Sequence, residues 1–278
     1  MQISPITVKN QPNISYRGIS EYRQGVAPYN YYNTSRFCRE DFNLADYMYF
    51  LNTEYKDVPS VNIICHACSD GEETLSLKFK LLSTLGAEKS KKFHVEGRDF
   101  DAANILYARK GAYEVSKIEL AKMEQEFGLD LYKYIDIVQE IGNYIYIKAK
   151  DYIKDSIPYK RVDILKDDNI PSENVGLHTR NMWPYLPPSW QVKLAQKLSK
   201  TLAPSSHIVL GQFDISNNVH HLLQEVGFEH TDIFQIMRKI PERPKVDELL
   251  EAKEILNRIK VIQQKVIEKP KITHILIR

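Results

Sequence analysis

The chain has 278 residues, 43% hydrophobic and 27% charged, which suits a folded protein with one large core. Its 38 basic and 36 acidic side chains leave a formal charge of +2, which argues against bulk electrostatic binding to nucleic acid. No apolar run approaches membrane-spanning length, the start Met-Gln-Ile-Ser-Pro lacks a signal-peptide core, and three cysteines (Cys38, Cys65, Cys68) suit a reducing, cytoplasmic setting better than a disulfide framework.

Residues 1–30 carry Gln, Asn, Ser, Gly, Pro and several tyrosines without periodicity, which reads as a flexible arm. From 40 to 52, Phe42, Tyr47 and Leu51 recur at helical spacing. The apolar run Val61 to Cys65 predicts a strand, and Leu75, Phe79 and Leu82 predict a helix from Glu72 to Leu85, ended by Gly86. Phe93 to Glu96 reads as a second strand, and Ala102 to Lys110 as a helix closed by Gly111. Residues 115–150 hold a helical stretch and then a strand at Tyr144-Ile-Tyr-Ile. Short strands are expected around Arg161 to Ile164 and at Val175 to His178, with a loop beginning at Thr179. Trp190 to Leu202 is amphipathic, with Ser189 as its cap and Pro204 beyond its end. His207 to Gly211 predicts a buried strand, Asn218 to Val226 a helix closed by Gly227, and Asp232 to Arg238 a final strand.

Strands and helices alternating at this rhythm predict an α/β fold, a doubly wound, mostly parallel Rossmann-like sheet with late antiparallel strands as a variant. The expected domain spans 31–240, followed by a helical extension at 241–278. There Leu249, Ala252, Leu256, Ile259, Gln263 and Val266 form a short heptad stripe, which reads either as a helix docked on its own domain or as a partner or dimer contact.

The strand ending at Cys65 runs into a turn of small residues and then two carboxylates, Glu72 and Glu73. The strand after it ends near Asp99. In an open α/β sheet, such a turn lets backbone approach a ribose-bearing cofactor, and the acid accepts from the ribose hydroxyls. Plainer roles exist for both acids: Glu73 as a first-turn helix residue favoured by the dipole, and Asp99 as the cap of the helix that follows.

Four blocks, in order, resemble the chemotaxis receptor (CheR-type) methyltransferases over roughly residues 30–240. Asn33-Thr-Ser35-Arg-Phe37-Cys-Arg39-Glu40 is similar to that family's Asn-x-Thr-x-Phe-Phe-Arg-Glu. Ala67 to Glu73 is similar to its Ala-Ala-Ser-Thr-Gly-Glu-Glu turn. Asp99-Phe-Asp101 with Ala108 to Tyr113 matches its Asp-Ile-Asp and Ala-Arg-x-Gly-x-Tyr. Arg180-Asn181 with Tyr185 matches its Arg-Asn-x-x-x-Tyr. The resemblance implies a seven-stranded methyltransferase sheet, S-adenosylmethionine as cofactor and a protein glutamate as methyl acceptor. It places cofactor contacts on Asn33, Ser35, Arg39, Ala67, Glu73, Asp99, Asp163, Ile164, Thr179 and Arg180. The chain departs from the pattern at Asp70, Thr74, Leu75 and Cys38. The stretch before Asn33 also lacks the basic helical domain with which the chemotaxis enzymes grip receptors.

Transfer of a methyl group to a carboxylate needs no general base, because a glutamate with a pKa of about 4.3 is already ionised at neutral pH. Arg39 and Arg180 are the expected guides for the acceptor carboxylate, since a guanidinium fork fits it in bidentate fashion, and Tyr185 adds one hydrogen bond. Against these stand a surface ion pair of Arg39 with Glu40 or Asp41, and simple packing for Tyr185. A non-catalytic cofactor-binding or scaffold protein on the same fold is the alternative function. Cys65-His-Ala-Cys68 has the spacing of redox and zinc sites, with His66 or His94 as further ligands, yet no second Cys-x-x-Cys exists and no metal is expected.

Overall fold

The computed structural model describes residues 36–241 and residue 257. The arm at 1–30, the site candidates Asn33 and Ser35, and the stripe from Leu249 to Val266 lie outside the described residues. Helix α1 (Leu44–Glu54) starts where the Asn43 side chain accepts from the Ala45 and Asp46 amides. There follow β1 (Val61–His66), α2 (Glu72–Ser90), β2 (Phe93–Asp99), α3 (Ala102–Lys110), β3 (Ala112–Ser116), α4 (Lys117–Phe127) and a short α5 (Leu131–Tyr134). Next come β4 (Ile135–Ile141), β5 (Tyr144–Ala149), α6 (Asp151–Lys154), β6 (Tyr159–Arg161) and β7 (Val175–His178). The fold closes with α7 (Pro188–Thr201), β8 (His207–Val209), α8 (Gln212–Ser216), α9 (Val219–Glu225), β9 (Phe228–His230) and β10 (Ile236–Lys239).

Seven strands form one sheet in the order β6-β2-β1-β7-β8-β10-β9. Every pair from β6 to β8 is parallel, and β10 runs antiparallel to both β8 and β9. This is the doubly wound, mostly parallel sheet that the element rhythm predicts. Side chains alternate across it. Ile63 and Cys65 join a core with Tyr47, Leu51, Leu75 and Phe79, while Ile64 joins the opposite core with Leu194, Leu198 and Leu223. Each such buried aliphatic or aromatic side chain stabilises the fold by ~1.5–3 kcal/mol. Among the described residues, no helix is long and apolar enough to cross a membrane.

Several boundaries move for identifiable reasons. Strand β2 continues past Glu96 to Asp99, because β1 on one side and β6 on the other keep pairing with Gly97 and Arg98. Glycine is required at 97, where an added Cβ would lie 2.4 Å from the Tyr159 ring. Gly86 breaks α2 as expected, but one further helical turn follows it to Ser90. Helix α7 starts at Pro188 with no side-chain cap, so Ser189 lies within the helix; Pro187 and Pro188 set the entry instead. The last strand begins at Ile236 rather than Asp232, and β9 is an added short strand.

The largest departure is a separate antiparallel sheet, β3-β5-β4, inserted between α3 and β6. Of its strands only β5 was legible, because β4 is exposed at every position after Ile135 and offers no buried alternation. This small sheet leans on the β1–α2 turn, where Tyr113 Oη donates to the Asp70 carbonyl at 2.8 Å.

Candidate functional site

The strand order reverses at β1, with β2 on one side and β7 on the other, and the carboxyl ends of strands at such a switch point are where open α/β sheets bind ligands. The turn there is held in unusual backbone conformations. Ala67 and Ser69 have φ of 55° and 53°, and Gly71 has φ of 92°. A non-glycine residue in such a region costs ~1–3 kcal/mol and persists where its surroundings over-determine it. Here the Cys68 amide donates to the Arg98 carbonyl at 3.0 Å, and the Ser69 amide to Asp99 Oδ2 at 2.9 Å. A Cβ at position 71 would meet Tyr159 Oη at 2.8 Å and the Ala108 methyl at 2.9 Å, so glycine serves both conformation and space.

Asp99 ends β2 and is 5% exposed. It accepts from the Ser69 amide, from the Asp101 amide at 2.8 Å and from Asn104 Nδ2 at 3.4 Å. Burial pushes its pKa up to about 6 against the pull of those bonds. The cap of α3 is Asp101, which accepts from the Ala103 amide at 2.8 Å. Asp99 instead ties the turn to the strand end. Just beside it, the Val162 amide donates to the Asp99 carbonyl at 2.8 Å and brings up Asp163 and Ile164. Asp163 caps the following 3-10 turn by accepting from the Leu165 amide at 3.0 Å, and Ile164 is buried in the second core.

On the other flank, Glu73 sits in the first turn of α2, where the helix dipole favours an acid. Its contacts go further than that. Oε1 lies 3.3 Å from Arg180 Nη1 and 3.3 Å from His178 Nδ1. Burial alone would raise its carboxyl, but Arg180 and His178 outweigh it and bring the pKa down to about 2. Burial also lowers the pKa of His178, so the neutral ring donates from Nδ1 to Glu73. Its buried Nε2 has no hydrogen-bond partner among the described residues. The ring stands edge-on to Tyr47 at 4.9 Å. Arg180 continues the cluster, with Nη2 donating to Asp41 Oδ1 at 2.6 Å and its guanidinium 4.8 Å from the Phe42 ring centroid.

A cavity of about 600 Å³ opens between residues 36–41, the start of α4 and α8, with Arg39, Glu119, Lys122, Asn181 and Phe213 on its walls. Arg39 also lines a pinched space that Glu73 and Arg180 share. Of the two expected guide arginines, Arg39 faces the cavity, with Nε 3.7 Å from Asp41 Oδ1. Arg180 is 8% exposed and its fork already grips Asp41 and Glu73, so its place is behind Glu73 rather than at the approach. The Tyr185 ring lies 5.7 Å from Phe213 on the cavity wall.

Thr179 is fully buried, with its amide donating to the Val209 carbonyl and its hydroxyl accepting from Trp183 Nε1 at 2.9 Å. The loop after it is latched by Asp214, which accepts from the amides of Asn181, Trp183 and Gly211. His178, Asp41 and Asp214 are the functional candidates that sequence reasoning missed. A histidine closing an apolar strand is a weak signal, and nothing in the spacing shows that it meets residue 73.

The two cysteines of the Cys-x-x-Cys are both free and buried. Burial pushes both thiols well above their usual range. His66 is committed to Asp167, and His94 is exposed on β2. The ligand atoms of Cys65, Glu73 and His178 lie within 4.8 Å of one another. The Arg180 guanidinium beside the same Glu73 oxygen, however, puts fixed positive charge where a cation would sit.

Residues 33–231 match the family described as "CheR methyltransferase, SAM binding domain", SAM being S-adenosylmethionine. A probable chemotaxis protein methyltransferase of Rhizobium etli is 23% identical over 170 residues. The match covers 60% of this chain and spans 60% of the length of that relative. Among solved structures, a TehB-like SAM-dependent methyltransferase from Corynebacterium glutamicum shares 12% identity at a TM-score of 0.36, covering 71% of this chain and 96% of that one. The N-methyltransferase NodS from Bradyrhizobium japonicum shares 11% at 0.38, with coverage of 71% and 96%.

Proposed function

The chain belongs to the CheR methyltransferase family and carries its S-adenosylmethionine-binding domain, and from that premise we propose that it methylates a carboxylate oxygen, the acceptor being a glutamate of a protein. The observation that carries this reading is the pair of carboxylates flanking one strained turn. Glu73 is held ionised beside it, and Asp99 closes the next strand. An ionised Glu73 suits the cationic amino end of the cofactor, and the contacts made by His178 and Arg180 fall on Oε1. Asp99 is the ribose acceptor, with Ala67 offering backbone and Asp163 and Ile164 lying beside Asp99. The resemblance extends the same site to Asn33 and Ser35.

S-adenosylmethionine supplies a methyl group on a positively charged sulfur. Bound there, it would give that methyl to the acceptor oxygen, the electron pair of the broken carbon–sulfur bond staying on sulfur. No proton moves, because the acceptor is ionised. The protein's own task is alignment and exclusion of water, since cation and anion neutralise each other on the way to product. Arg39 orients the acceptor carboxylate from the cavity wall, Tyr185 adds a hydrogen bond, and Arg180 holds Glu73 in place.

The test is incubation with S-adenosylmethionine labelled in the methyl group and protein extract from the source organism. Label on protein that mild base releases as methanol is the expected result. Cofactor binding with no base-labile label on any protein removes the carboxylate reading.

A further inference from the structure

On the β2–β6 flank of the turn lies a buried charge cluster that methyl transfer does not use. Asp167, 2% exposed, follows Asp163 through the 3-10 turn Ile164–Lys166. Its Oδ2 accepts from His66 Nε2 at 2.8 Å and from Arg98 Nη1 at 2.5 Å, and its Oδ1 from the Asn169 amide at 3.1 Å. Arg98 and His66 are themselves 4% and 3% exposed. The Nε of Arg98 meets Glu96 Oε1 at 2.5 Å, and the other Glu96 oxygen takes Lys160 Nζ at 2.8 Å.

One carboxylate therefore joins three segments. His66 closes β1 and precedes Ala67. Arg98 precedes Asp99, and its carbonyl receives the Cys68 amide of the turn. Asp167 belongs to the segment that carries Asp163 and Ile164. Each segment holds residues assigned above to the cofactor. Apolar packing at these points would allow sliding, whereas charged hydrogen bonds fix distance and direction.

We propose that Asp167 is a positioning residue for the cofactor site: by clasping His66 and Arg98 it sets the spacing of the turn, Asp99 and the 163–164 segment, and thereby cofactor affinity. It touches neither cofactor nor acceptor. The inference rests on the cofactor reading given above. A misplacement of about 1 Å in such a constellation is enough to cost a large factor in function. A brace for the fold alone would instead change melting temperature and leave affinity where it was.

Calorimetric titration of S-adenosylhomocysteine, the demethylated cofactor, into wild-type protein, Asp167→Asn and Leu198→Ala separates these cases. Leu198 is fully buried on α7 in the second core and is not among the residues assigned to cofactor or acceptor. Asp167→Asn keeps the shape and removes the charge, and is expected to weaken binding about tenfold or more. Leu198→Ala is expected to lower the melting temperature and leave affinity unchanged. Unchanged affinity in Asp167→Asn overturns the proposal. So does an equal loss in Leu198→Ala, because affinity then merely follows stability. If Asp167→Asn fails to fold, Arg98→Lys takes its place, since it keeps the charge and loses the fork; the same loss is expected and the same result overturns. Wild-type protein that binds no S-adenosylhomocysteine is a different outcome, and it overturns the cofactor reading itself.

Discussion

Glu73 and Asp99 stand on opposite flanks of one turn and are held in opposite ways. Glu73 meets the guanidinium of Arg180 and a ring N–H of His178, and is drawn down to about 2 despite burial. Among the described residues, Asp99 accepts from neutral donors, the Ser69 and Asp101 amides and Asn104, and burial lifts it to about 6. Both carboxylates are hydrogen-bonded, so bond count does not separate them. The sign of the nearest partner does. Neutral donors satisfy geometry without offsetting the lost hydration of an anion, and a fixed cation offsets it. In the proposed function, the flank with a permanent anion faces the charged end of the cofactor, and the other faces uncharged hydroxyls.

The sharpest way to break this contrast is substitution of Glu73. Glu73→Gln removes the anion and leaves Arg180 without one of its two acids, and affinity for S-adenosylhomocysteine is expected to fall about 100-fold, ~3 kcal/mol. Asp99→Ala removes a mostly neutral contact set, and a smaller loss of about 30-fold, ~2 kcal/mol, is expected in the same titration. A reversal of that order removes the charge contrast.

Binding measured against pH sharpens it further. A protonated Asp99 has one acceptor site fewer for ribose, so wild-type affinity is expected to weaken as pH falls through about 6. Glu73 stays ionised far below that, so Asp99→Asn is expected to flatten the profile around pH 6 and Glu73→Gln to leave the inflection in place. The two arginines give a third, smaller comparison in steady-state kinetics. Arg39→Lys is expected to raise KM for the acceptor several-fold with little change for the cofactor, and Arg180→Lys to act on the cofactor KM.

The smallest effect is on stability. The depressed Glu73 pKa contributes stability that is complete above its unperturbed 4.5 and is lost as pH falls toward about 2. The raised Asp99 pKa contributes below its unperturbed 3.8, and that contribution is lost as pH rises through about 6. Melting curves of wild type and Glu73→Gln should therefore converge in acid, by a few degrees across that window.

Much was legible in local pattern. Val61 to Cys65, Ala102 to Gly111 and Val175 to His178 are strands and a helix where periodicity and glycine stops put them. Three of the four motif blocks located the turn, the strand-end acid and the loop after β7. These are short-range properties, written in residues that are neighbours in the chain. The small β3-β5-β4 sheet escaped because its outer strand buries almost nothing, and burial is what makes a strand visible in sequence.

What the sequence settled by itself was most of the element types and the mostly parallel sheet, because periodicity and turn chemistry need no folding to be read. What only the tertiary structure decided was how the carboxylates are charged and who holds them. His178 reaches Glu73 from 105 residues away, Asp41 occupies Arg180 from 139 residues away, and Asp167 clasps the ends of β1 and β2. Such pairings follow from strand order and burial, and the energy of a buried charge depends on its partners in space, which no local pattern records.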